Sequence, residues 1–109
     1  MNTIEVPIEE LKKDVEEFHK CPATWVEAVN TVEKFEDGSE WKGVVQVFAL
    51  EGHPNATRCY AWRAIDEAHG SRDLFAILGV GNVSSASAAV RSAMLMIRRH
   101  VRRGNTGLS

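Results

Sequence analysis

The sequence predicts an α+β fold: a four-stranded antiparallel meander sheet flanked by an N-terminal and a C-terminal helix, in the order α-β-β-β-β-α. Three observations predict it. Thr24 to Val80 reads as consecutive β segments separated by turn residues. An amphipathic, acid-rich run precedes that stretch, and an Ala-rich run with arginines at its far end follows it. The 109 residues predict a single domain over 1–109, with 1–6 and 105–109 disordered.

The first helix begins at Pro7, whose missing N–H suits a first turn. Ile8, Leu11, Val15 and Phe18 recur at three- and four-residue spacing, one face of a helix. Glu9 and Glu10 near its start and Lys20 near its end complement the helix dipole, and Pro22 stops it.

Thr24 to Phe35 is the first strand, with imperfect alternation. Val26, Ala28 and Val32 share one phase, while Trp25, Val29 and Phe35 share the other. Asp37-Gly38-Ser39 is a hairpin signal. Trp41 to Leu50 is the second strand and is apolar on both faces, which predicts a central strand with something covering each side. One helix layer covers only one face, so the other face needs a partner. Gly52-His53-Pro54-Asn55 breaks the pairing. Arg58 to Ile65 is the third strand, Asp66 to Arg72 a polar connection, and Leu74 to Val80 the fourth strand.

Asn82 to Ser85 supplies helix-capping chemistry. Ala89, Val90, Ala93, Met94, Ile97 and Val101 then form a helical stripe, and Gly104 closes the helix.

Charge is segregated along the chain. Residues 1–50 hold five lysines against eleven carboxylates, and residues 51–109 hold eight arginines against four carboxylates. Every lysine lies in the first part and every arginine in the second. The net charge of −2 speaks against nucleic acid as the main partner. The segregation favours attraction between the two halves within one fold or dimer. The N-terminus lacks the apolar segment of a secretory signal, and no apolar run is long enough for a membrane span. A cytoplasmic chain with no membrane contact is expected, with Cys21 and Cys59 reduced.

The candidate chemistry is sparse. His19, Cys21, His53 and Cys59 have ligand types that suit zinc but none of its tight spacings, so no metal and no cofactor is predicted. Cys59 with His53 or His69 is the one nucleophile–base set conceivable, and Asp66, Glu67, His69 and Asp73 are acid–base residues in a polar loop. No catalytic residue is assigned from either set. Gly79 to Ser85 joins a strand to a helix, where phosphate can meet a helix N-terminus. The dinucleotide and P-loop glycine patterns are absent, and the stretch reads as a tight turn with a helix cap.

Two sets are candidates for binding. Trp41, Tyr60 and Trp62 fill core space if they face inward and make an interface if they face outward. Arg98, Arg99, Arg102 and Arg103 complement the end of a helix dipole and are also candidates for gripping an anion.

The run WKGVVQVFALEGHPNATRCYAW, Trp41 to Trp62, resembles a family of small uncharacterised bacterial proteins, a resemblance that brings no activity or site residues. In element order the chain also resembles a double-stranded-RNA-binding domain, which implies RNA binding through the basic residues of the last helix. That family carries lysines at the start of its last helix. Here Val83 to Val90 has none and the arginines sit at the far end.

The sequence reading is therefore a non-catalytic interaction module, homodimeric through an apolar sheet face, with a further protein partner open. The alternative is a nucleic-acid binder using Arg98, Arg99, Arg102 and Arg103. The third reading is a small enzyme around His53, Cys59 and His69.

Overall fold

A computed structural model describes residues 2–66 and 70–108, and of residues 2, 66, 71 and 98–108 the backbone alone. The elements are β1 (Asn2–Ile4), α1 (Ile8–His19), β2 (Ala23–Lys34), β3 (Glu40–Leu50), β4 (Arg58–Asp66), β5 (Ser71–Leu78) and α2 (Ala86–Leu108). Strands β2 to β5 pair antiparallel in chain order, as the sequence predicts, with one helix before and one after them.

The helices lie on opposite faces of the sheet. On one face α2 covers Trp41, Val45, Val47, Tyr60, Trp62 and Ala64 with Ala86, Ala89, Val90 and Ala93. Small residues on that side of α2 let its backbone approach the strands. On the other face α1 places Leu11 and Val15 over Phe48, Leu50, Cys59 and Ala61. This double cover is why β3 and β4 are apolar in both phases. The expected bare second face is thus partly covered by α1.

The sheet holds one strand that the sequence reading lacks. β1 pairs with β4 antiparallel, Thr3 opposite Ala64. β5 occupies one edge of β4 from Cys59 to Asp66, and β3 pairs with the other edge only from Arg58 to Ala61. β1 takes the remainder of that second edge. Thr3 then lies against Gly43 of β3, where a Cβ would come within 2.8 Å of the Thr3 Cγ2 and Oγ1. Three residues are too few to show a period, so the segment expected to be disordered carries no strand signal.

The imperfect alternation of the first strand is a β-bulge. The register with β3 shifts between Trp25 and Glu27, and Val26 is the extra residue. Ala23 and Trp25 sit opposite Leu50 and Phe48, on the α1 side. Beyond the bulge the parity reverses. Val29 joins the α2-side core, Thr31 is buried, and Ala28, Asn30 and Val32 point to the α1 side.

Element ends differ in three places. Pro7 is the N-cap of α1, its carbonyl accepting from the Glu10 and Leu11 amides, and Lys20 closes the helix in the left-handed region. β5 starts three residues before the expected Leu74, because Arg72 and Asp73 remain paired with Ile65 and Ala64 despite their polarity. α2 passes through Gly104 to Leu108, so the expected stop at Gly104 is not found. Glycine inside a helix costs only about 1 kcal/mol relative to alanine, and no proline follows. Among the described residues, no helix is long and apolar enough to cross a membrane.

Candidate functional site

Trp41, Tyr60 and Trp62 belong to the core under α2, at 5%, 5% and 2% exposure. The Trp41 and Trp62 rings meet edge to face at 5.4 Å, and Trp62 stacks on Phe75 at 5.1 Å. The choice left open by the sequence resolves to core for all three. Neither buried indole N–H has a hydrogen-bond partner among the described residues.

The cysteine set does not form a nucleophile. Cys59 is fully buried beneath α1, and burial, with a smaller contribution from the nearby Cys21, pushes its thiol up to about 12. A thiol at that value is protonated at neutral pH and inert. His53 is spent on its own loop, where its Nδ1 accepts from the Asn55 and Ala56 amides at 3.1 and 3.2 Å. His69, with Glu67, lies outside the described residues, as does the side chain of Asp66.

His19 and His53 meet ring edge to face at 5.7 Å, but the His19 Nε2 is bonded to the Ala76 carbonyl at 2.9 Å. Among the described residues no group of three or more His, Cys, Asp or Glu could hold a metal ion. The side chains of Arg98, Arg99, Arg102 and Arg103 lie outside the described residues, so the basic-helix alternative has no geometry to add. Both cysteines are free.

What the fold leaves open is the β2–β3 half of the α1 face. α1 covers the second half of β3 with β4 and β5, and it stops short of Ala28, Asn30 and Val32 on β2 and of Lys42 and Val44 on β3. Trp25 is 44% exposed there and Val32 48%. The Trp25 indole donates to the Gln46 Oε1 at 2.9 Å, which lays the ring along the strands. A groove of ≈ 500 Å³ between α1 and this half of the sheet is lined by Glu5, Val6, Pro7, Leu11, Val44 and Gln46. β2 is also an edge strand, twelve residues long and paired only with β3 among the described residues.

Sequence reasoning missed this set because the bulge hides it. Read as one unbroken alternation, Trp25 and Val32 fall in opposite phases. With one residue inserted at Val26 they share a face. The visible clue was the broken alternation itself. Comparison of the chain with protein-family models, with curated proteins and with solved structures finds no match.

Proposed function

We propose that this chain is a non-catalytic interaction module that pairs with a second copy of itself through the open half of the α1 face. The observation that carries this reading is the exposure of Trp25, Ala28 and Val32 on one face, beside half-buried Val44, along an edge strand paired only with β3 among the described residues. Apolar patches of this kind on soluble proteins mark interaction surfaces, and long uncovered edge strands are templates for pairing. Of the other exposed large apolar side chains, Val26 is the bulge residue of β2, Phe18 lies on α1, Val80 follows β5, and Leu95 and Met96 lie on α2.

Charge supports a second copy as the occupant. Lys42 flanks the hairpin end of the open half, next to the cross-strand neighbours Lys34 and Glu40, and Glu5 borders the groove beside Val44. A two-fold interface is self-complementary, so a rotation that brings Lys42 of one copy to Glu5 of the other satisfies both. The inert Cys59 and the engaged His53 weigh against the enzyme reading.

Amide hydrogen exchange at two protein concentrations tests this. β2 amides from Ala28 to Val32 should gain protection as concentration rises, and Val32→Lys should abolish that gain without changing the exchange of β4. Equal exchange at both concentrations would refute the reading.

A further inference from the structure

The sequence holds two cysteines, and the fold brings them to one place. Cys59 is fully buried on β4, opposite Phe48 of β3 and Leu78 of β5, with its side chain under α1. Cys21 lies in the connection from α1 to β2. That connection starts at His19, whose Nε2 is bonded to the Ala76 carbonyl of β5, and ends at Ala23, opposite Leu50 of β3. β4 and β3 lie between β5 and β2. Lys20, Cys21 and Pro22 alone carry the chain back across them. Pro22 is held at the far side, its carbonyl accepting from the Glu51 amide at 3.0 Å. Cys21, in the middle of the crossing, is half-buried against the cluster that contains Cys59, Leu50 and Phe48. A charge on Cys21 acts on the Cys59 thiol.

The two thiols differ in the way an exchanging pair requires. Half-buried Cys21 reaches solvent and sits in irregular backbone. Cys59 is sealed from reagents in water and fixed on a central strand. A disulfide needs its two Cα atoms within about 7 Å, and the irregular connection, not the strand, supplies any adjustment.

We propose that Cys21 and Cys59 are a reversible redox pair that a low-molecular-weight disulfide, such as glutathione disulfide, closes into an intramolecular bridge. The Cys21 thiolate attacks one sulfur of glutathione disulfide, forming a mixed disulfide and releasing one glutathione. Cys59 then attacks the Cys21 sulfur, the Cys21–glutathione bond breaks, and the Cys59 proton leaves with the second glutathione. Two protein thiols are oxidised, and one glutathione disulfide is reduced to two thiols. Burial makes the second step slow, and holding both sulfurs on one core offsets that. The bridge joins the α1–β2 connection to β4, so oxidation staples the end of α1 and the start of edge strand β2 to the centre of the sheet. Excess reduced thiol reverses it.

The test is incubation of the folded, reduced chain with glutathione disulfide at neutral pH, followed by acid quench, intact mass and alkylation in denaturant. The chain should first gain one glutathione at Cys21. It should then lose that group and end two hydrogens below the reduced mass, with neither cysteine open to alkylation. Size exclusion in denaturant should show single chains, and the oxidised form should unfold at a higher denaturant concentration than the reduced form. Dithiothreitol should restore both thiols. Cys59→Ala should stop at the glutathione adduct, and Cys21→Ala should form no adduct while folded. A wild-type adduct that persists with Cys59 still open to alkylation in denaturant would overturn the assignment. So would a bridge between two chains, or an intramolecular bridge that forms only in denaturant.

Discussion

Arg63 on β4 donates from Nη2 to Oδ2 of Asp14 on α1 at 2.7 Å, tying the arginine-rich second half of the chain to the acidic first half. Arg91 on α2 makes the equivalent link to Glu33 on β2 at 3.2 Å. One pair stands on each face of the sheet, and each joins a helix to a strand from the other half. Segregation of charge along the chain thus becomes pairing across the fold.

Both pairs are partly solvated, so each is worth little. Asp14→Asn and Arg63→Gln should each lower stability by about 0.5–1 kcal/mol, and the double variant should lose less than their sum. Denaturant midpoints at low and high salt check this. The coupling should shrink with salt. Full additivity at low salt would show that the pair carries no net attraction.

Leu11 and Val90 are both fully buried, on opposite faces of the sheet. Leu11→Ala should cost about 2–4 kcal/mol and Val90→Ala about 1–3 kcal/mol, from lost transfer energy and the cavities left behind. The two cores share no side chain, so the losses should add. A wild-type denaturant midpoint for either variant would contradict the face assigned to its helix.

Burial raises the Cys59 thiol from 9.0 to about 12, which fixes the sign of a pH effect. Between those values the unfolded chain loses this proton and the folded chain keeps it, so stability falls as pH rises through that window. Below about pH 9 both states are protonated and the group contributes no slope. Stability of wild type minus that of Cys59→Ala should be flat up to that pH and decline above it. Native Cys59 should also resist alkylation at neutral pH, while half-buried Cys21 reacts. Rapid alkylation of Cys59 would mean that its cover opens readily.

Gly43 has room for no Cβ while Thr3 is paired beside it. Gly43→Ala should displace β1 from β4 at a cost of about 1–3 kcal/mol, read from a denaturant midpoint and from faster exchange of the Thr3 amide. The same exchange in Gly43→Ala as in wild type would place β1 elsewhere.

The fold class was legible because it depends on periods. Ile8, Leu11 and Val15 show a helix, and the two-faced apolar run from Val44 to Leu50 shows a strand covered on both sides. The helices' placement on opposite faces is a tertiary choice that no local pattern encodes, so the cover over Cys59 and Phe48 was read as a partner's task. The bulge at Val26 inverted the apparent facing of Val29 and Val32. Arg72 and Asp73 hid the start of β5, since a polar pair reads as loop although backbone pairing continues through it. Glu27, Arg58, Tyr60 and Ser85 line one groove at the start of α2; Ser85 was visible as a helix cap, and the approach of Glu27 to Arg58 and Tyr60 was not, because two turns and β3 separate them in the chain.

The central claim is that Trp25 and Val32 meet a second copy. Light scattering coupled to size exclusion at micromolar concentration tests it most directly. Wild type should have twice the chain mass of 12.1 kDa, and Val32→Lys should return to a single chain while keeping its helical and strand signal. A wild-type mass of 12.1 kDa across that concentration range would contradict the account.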